Sequence, residues 1–295
     1  MMTKKSKNNV SIVAANYNNK HFLDDFFQGI INSAIKPSEL IIVDDCSTDK
    51  SIDTIDLYAT LHPWIKPIYL SNNMGVANAR NIGNRHASGD FIMQIDPDDI
   101  ITPDRITRQL NFFKKNPHID ILGGNCWYIK GVNKTQILQS NFPTSHDEIE
   151  KYFKKGLNGV YNPTTMIRKK WFENFQYRQE MVWAEDYDLF ARMLHAGAIF
   201  AGQKEPHTLV RIHGESATSN LKFDTLKKAH SVSRELFGNK STLFSVWINY
   251  LHLRSYRKYL LADNLLQKCL YLSTALLFRP DKIFKRLKFL FFAKP

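Results

Sequence analysis

Cysteine is scarce in this sequence. Cys46, Cys126 and Cys269 stand far apart among 295 residues, and no Cys-x-x-Cys occurs. An odd, dispersed set excludes a disulfide framework and a zinc module and fits a reducing compartment. Glycine-rich phosphate loops are missing as well. After the first strand-like run the chain reads Ala14-Ala15-Asn16-Tyr17-Asn18-Asn19, without Gly-x-Gly-x-x-Gly, which argues against a dinucleotide dehydrogenase. The longest apolar stretches, such as Leu243–Leu253, are broken or too short, so no membrane-spanning helix is expected. Met1–Asn9 is basic and polar with no apolar stretch behind it, unlike a secretory signal. With 43% hydrophobic and 23% charged residues, the chain is an ordinary globular mixture, which excludes wholesale disorder. Its length suits one large α/β domain, or a catalytic domain with an appendage.

Acidic residues are in deficit, 28 against 40 Lys and Arg, for a net charge of +12. From Leu251 to Pro295 ten basic residues face two acidic ones, so most of the excess belongs to the tail. A local partner of negative charge is implied. Over Asp281–Phe292, the apolar Ile283, Phe284, Leu287, Leu290 and Phe291 fall at helical spacing. Lys282, Lys285, Arg286 and Lys288 lie mostly on the other side. This pattern predicts a basic amphipathic helix at an anionic membrane surface, or a core-packed helix with a solvated face. No RNA-recognition motif accompanies the charge, so no nucleic-acid partner is expected.

Strand-like and helix-like runs alternate through the first 122 residues. Val10–Ala15, Leu40–Val43, Ile68–Leu70, Phe91–Ile95 and Ile119–Leu122 read as strands. Between them, Phe22–Ser33, Ser51–Leu61, Val76–Ala87 and a segment opened by Pro103 toward Lys115 read as helices. That alternation is the signature of βαβ units on a parallel sheet. Residues 125–212 are mixed, and the chain reads as helical from Asp224. In parallel sheets, ligands bind beyond the carboxyl ends of the strands. Asp44, Asp45, Asp96, Asp98 and Asp99 all fall at such ends.

Asp96-Pro97-Asp98-Asp99 crowds three carboxylates into four residues, which repel one another unless a cation sits among them. Oxygen-only ligands suit Mg²⁺ or Mn²⁺ bridging to a diphosphate. Alone, the motif serves equally as an acidic turn before a helix. Asp44-Asp45 can accept from a base or ribose at the sheet edge, although Ser47 or Thr48 already supplies helix-capping chemistry. Glu185-Asp186 is either an acidic helix start or a catalytic pair. By itself His213 reads as well as a structural or exposed histidine, and Asn162-Pro163-Thr164-Thr165 reads equally as a segment shaping the acceptor site or as a plain turn.

Taken in order, VSIVAANYNN, IIVDDCSTDKS, NMGVANARNIGNRHASGDFIMQIDPDD and WAEDYDLFARM resemble the family 2 glycosyltransferases. These are inverting nucleotide-sugar enzymes of GT-A fold, and the resemblance spans about Ser11 to Ser216. It implies an α/β fold, a Rossmann-like, mostly parallel sheet flanked by helices, over residues 1–220. A helical, basic extension would follow over 221–295. It also implies that Ala15 and Asn16, with Asp44 and Asp45, line a uracil and ribose pocket, and that Arg80 lies near the base or diphosphate. Asp96 would then lie nearer the ribose and Asp98 would bind the metal, with Asp99 sharing either role. His213 would complete the metal or diphosphate contacts. Asp186, beside Glu185, would be the catalytic base.

Inverting transfer needs a carboxylate to take the acceptor's proton and a separate charge site for the leaving diphosphate. Asp186 and the Asp96 cluster supply the two. The expected activity moves a hexose or N-acetylhexosamine from a UDP-sugar to a glycan, with Mn²⁺ or Mg²⁺ as cofactor. The expected setting is a lipid-linked oligosaccharide at the inner face of a bacterial membrane, for O-antigen, capsule or a similar polysaccharide. A sugar-nucleotide pyrophosphorylase and a non-catalytic glycan- or membrane-binding relative are the alternatives. The first would carry a Gly-rich loop after the first strand, and the second would lack the acids.

Overall fold

The computed structural model describes residues 9–131, 134–213, 221–262 and 264–280. The expected amphipathic helix over Asp281–Phe292 lies outside them. The first half alternates as the sequence predicts: β1 (Val10–Asn16), α1 (Lys20–Ile31), β2 (Glu39–Asp44), α2 (Ser51–Leu61), β3 (Ile65–Tyr69), α3 (Val76–His86) and β4 (Phe91–Gln94). These strands pair in parallel in the order β3-β2-β1-β4. Their side chains alternate between two apolar layers. Ile12 and Ala14 of β1 join Phe26, Phe27 and Ile30 of α1 on one face. Val13 joins Ala77 and Ala79 of α3 on the other. Burial on both faces explains why these strands read as continuous apolar runs. Gly83 lets α3 lie close against β1, since a Cβ there would meet Val13 Cγ1 at 2.5 Å.

β3 begins earlier than its apolar run suggests and includes Pro67, which an edge strand tolerates because one side of its ladder is unpaired. Pro103 lies just ahead of the helix it was expected to open. The helix starts at Arg105, while the Pro103 carbonyl accepts from the Ala34 amide at 2.8 Å.

The remaining elements are β5 (Ile100–Ile101), α4 (Arg105–Lys115), β6 (Ile121–Lys130), β7 (Thr135–Gln139), α5 (His146–Phe153), β8 (Met166–Arg168), α6 (Lys170–Asn174), α7 (Glu185–His195) and β9 (Phe200–Ile212). The expected short fifth strand is the start of the longer β6. It does not adjoin β4, because β8 enters between them, antiparallel to both. β6 and β9 are parallel, while β5 and β7 add antiparallel edges to β9 and β6. The helices that follow are α8 (Phe223–Phe237), α9 (Leu243–Leu261) and α10 (Leu265–Phe278). Ala229 and Val232 of α8 sit in one core with Phe190 of α7 and Phe200 of β9, so residues on both sides of position 220 share it. α9 packs on α8, and α10 packs on α9.

The amino-terminal edge of the sheet is fastened by Glu39. Its carboxylate accepts from Ser11 Oγ (2.6 Å), Ser88 N (2.7 Å), Ser88 Oγ (2.8 Å) and Lys66 Nζ (2.5 Å). Burial opposes the charge, yet Lys66 and the serines hold the pKa down at about 2. This contribution is complete above the ordinary carboxyl range and is lost as pH falls through about 2. The chemistry lies at the opposite edge, where β1, β2 and β4 end.

Candidate active site

The turn after β2 is organised by Asp44. Cys46 takes a left-handed φ of 65°, and the chain returns so that Ser47 N donates to Asp44 Oδ1 at 2.8 Å. Asp44 Oδ2 accepts from Asn16 Nδ2 and Ser47 Oγ, each at 2.7 Å. Asp44 is therefore turned inward, fully buried, and ties the end of β1 to the turn. Asp45 accepts from Met74 N (2.7 Å) and Gly75 N (2.8 Å), anchoring the entry to α3. Asn16 is buried and its Oδ1 has no partner among the described residues, while Ala15 is half-buried.

Beyond β4, one oxygen from each of Asp96, Asp98 and Asp99 lies within 4.8 Å of the others. Asp99 is buried and accepts from Arg211 N at 2.9 Å. Burial, together with the charges of Asp98 and Asp96, pushes its pKa well above the usual carboxyl range. Asp96 is raised by burial and by Asp98, against the pull of Arg80. His213 Nε2 meets Asp98 Oδ2 at 3.0 Å, and its ring lies 4.9 Å from that of Phe22. Converging hard oxygens with crowded like charge fit a divalent cation such as Mg²⁺ or Mn²⁺.

Arg80 joins this cluster to the second acidic motif. Buried on α3, it donates to Asp96 Oδ1 at 2.7 Å and to Asp186 Oδ1 at 2.8 Å, with Glu185 Oε1 at 3.4 Å. Its guanidinium lies over the Tyr177 ring at 5.4 Å. Burial disfavours its charge, but Asp186 and Asp96 outweigh that and hold it protonated. Asp186 is raised to about 7 by burial, then by the charges of Glu185 and Asp96, with Arg80 opposing. Asn81, the next residue, exchanges two hydrogen bonds with the Tyr177 backbone at 2.8 and 2.9 Å. This fixes the segment leading to Trp183. Trp183 has φ of 68°, a left-handed conformation strained for a bulky residue, directly before Ala184-Glu185-Asp186.

One cleft of about 680 Å³ runs beside these groups. Arg80, Asp96, Asp98, Asp99, Glu185 and Asp186 line it, and its size suits a sugar-bearing ligand. Ala15, Asn16, Asp44 and Asp45 stand outside that lining, at the ends of β1 and β2. α9 also lines the cleft, through residues such as Asn249, His252 and Arg257.

Sequence reasoning passed over Arg105 and Tyr177. Arg105 is completely buried. It donates to the carbonyls of Pro163 (2.7 Å), Gln94 (3.2 Å) and Thr165 (3.2 Å), and to Thr208 Oγ1 (3.1 Å). Burial lowers its pKa to about 9. It holds the end of β4, the Asn162–Thr164 turn and β9 together. That turn is thereby a buried support, with Pro163 reaching the cleft. A helix-start arginine carries no sequence signal for such a role.

A family profile described as Glycosyl transferase family 2 matches residues 11–175. The chain is 25% identical over 228 residues to a putative teichuronic acid biosynthesis glycosyltransferase, TuaG, of Bacillus subtilis, covering 77% of this chain and 88% of that one. It shares its fold with Staphylococcus aureus TarS 1–349 in complex with UDP-GlcNAc, at a TM-score of 0.61 and 18% identity, over 93% of this chain and 91% of that one. It spans 49% of a longer TarS chain. It also shares its fold with the mannosyltransferase PcManGT of Pyrobaculum calidifontis, in complex with GDP-Man and Mn²⁺. There the TM-score is 0.59 at 14% identity, over 98% of this chain and 89% of that one.

Proposed function

This chain belongs to glycosyltransferase family 2, and on that premise we propose that it is an inverting, metal-dependent hexosyl- or N-acetylhexosaminyltransferase using a UDP-sugar. The observation that carries the reading is Arg80, whose two terminal nitrogens bind Asp96 of the acid cluster and Asp186 of the second motif. The donor's diphosphate and the attacking hydroxyl thus have adjacent places in one cleft.

Asp98, Asp96 and Asp99, with His213 beside Asp98, would hold Mg²⁺ or Mn²⁺. When bound, the ion neutralises the leaving diphosphate, so no protein acid need protonate it. Asp186 accepts the acceptor hydroxyl's proton as that oxygen bonds to C1 of the sugar and the bond from C1 to the diphosphate breaks. Glu185, buried beside it, keeps Asp186 basic through like-charge repulsion, and Arg80 keeps its carboxylate in place. Asn16 and Asp45, at the ends of β1 and β2, are assigned to the nucleoside. Asp44 positions Asn16 rather than touching the ligand.

Relatives in teichuronic and teichoic acid biosynthesis support a surface-polysaccharide acceptor. The test is release of nucleoside diphosphate from UDP-, GDP- and dTDP-sugars, with and without Mn²⁺. UDP-sugar cleavage only with the metal is expected. Failure of every donor, together with no binding of UDP, would end the reading.

We place the enzyme at an anionic membrane surface. No helix among the described residues is long and apolar enough to cross a membrane. Leu265, Leu266, Leu270 and Leu277 of α10 are exposed, as are Phe244 and Trp247 of α9. Each Lys or Arg near such a surface contributes about 1 kcal/mol, screened by salt. The full chain should co-sediment with anionic vesicles at low salt. A chain ending before Asp281 should sediment less, and equal sedimentation of both would show that the tail is not the anchor.

A further inference from the structure

Among the described residues three arginines line the cleft: Arg80, Arg211 and Arg257. Two are fully engaged. Arg80 binds the acids described above. Arg211 donates to Asp25 Oδ2 at 2.8 Å, to the Gly131 carbonyl at 2.7 Å and to the Asp98 carbonyl at 3.1 Å. Arg257 on α9 differs. Among the described residues its buried Nη1 has no hydrogen-bond partner. Among the described residues no carboxylate forms an ion pair with it. The groups bearing on its charge are the phenols of Tyr128 on β6 and Tyr161, both also in the cleft wall.

Arg257 as a whole is half-buried, but keeping its Nη1 away from water without a counter-charge is costly, and burial pulls its pKa below the ordinary arginine value. A fold keeps such a group where an incoming anion completes it. A guanidinium presents a planar fork matched to phosphate and carboxylate oxygens. Beside it, Tyr161 stacks on Phe142, with centroids 5.7 Å apart and planes 6° from parallel. This gives a flat apolar surface for the face of a sugar ring. The acids lining the same cleft would repel an anionic ligand, and Arg257 is a cation in its wall that offsets that repulsion.

We propose that Arg257 anchors an acceptor subsite, binding an anionic oxygen group, phosphate or carboxylate, carried by the glycan that receives the sugar. The word acceptor rests on the transferase reading; the anion site itself rests on the cleft. The donor's diphosphate is the other possible source of such oxygens, but its place is at the acid cluster beyond β4, whereas Arg257 comes from α9.

The test uses the full chain and its Arg257→Gln and Arg257→Lys variants. Inorganic phosphate is titrated with and without saturating UDP and Mg²⁺, read by tryptophan fluorescence. Phosphate should bind the wild type, and Arg257→Gln should weaken it by about tenfold or more. Arg257→Lys should retain part of the affinity, and UDP affinity should hold in all three. Because no internal partner of Nη1 is lost, the Tm of Arg257→Gln should be unchanged or raised. Equal phosphate affinity in wild type and Arg257→Gln, or none in the wild type, would overturn the proposal. A parallel loss of UDP affinity would move Arg257 to the donor site and overturn the acceptor assignment. A fall in Tm with phosphate affinity unchanged would make the residue structural. Failure of UDP to bind any form would count against the transferase reading, and the phosphate titration would still decide the subsite.

Discussion

Asp186→Asn should lower turnover by about a hundredfold to ten-thousandfold, the usual contribution of a positioned general base. The amide oxygen of asparagine can still accept from Arg80 Nη1, which now reaches Asp186 Oδ1 at 2.8 Å, so the geometry survives while the basicity is lost. UDP affinity should stay within a few fold, because Asp186 has no place at the nucleoside. The pH profile is the sharper readout. Burial and the neighbouring acids raise Asp186 to about 7, and only its deprotonated form accepts a proton. Turnover should therefore rise with pH through about 7 in the wild type, and that limb should vanish in Asp186→Asn. A variant with intact turnover at saturation but collapsed UDP affinity would place Asp186 in the donor site instead.

Asp98→Ala should be comparably damaging, by a different route. Its carboxylate belongs to the three-oxygen cluster and also meets His213 Nε2 at 3.0 Å. Removing it takes away both one oxygen of the proposed metal site and the partner that orients the imidazole. Loss of several kcal/mol of charge stabilisation at the leaving diphosphate corresponds to about a thousandfold in rate. Excess chelator should reduce the wild type to a similar level, and Mn²⁺ affinity measured by calorimetry should fall in the variant. His213→Ala should show a smaller loss of metal affinity, since it removes one donor and leaves the carboxylates. Full wild-type activity in excess chelator would remove the metal from the reaction.

Much of this molecule is determined by sequence alone, for a local physical reason. The continuous apolar runs and helical repeats of the first 115 residues report burial one element at a time. β1, α2 and α3 accordingly lie within a residue or so of where those runs and repeats place them. Acids at strand ends mark the functional edge, because a buried parallel strand offers them nowhere else to go. The order and spacing of four motifs identify the family, which no single motif does. Tertiary structure decided what depends on partners distant in the chain. The insertion of β8 between β4 and β6 rests on a three-residue strand with too few positions to show a period. Asp44 and Asp45 are adjacent and chemically alike, yet one is locked to Asn16 and Ser47 and the other caps the entry to α3. Arg80 reaches Asp186 across 106 positions, and Arg105 reaches Thr208 across 103. α9 contributes Arg257 to a cleft whose acids begin at Asp96. Local repeats encode which face of an element is buried. Which charged groups meet on the far side of that face follows only from the strand order and the packing of helices on it.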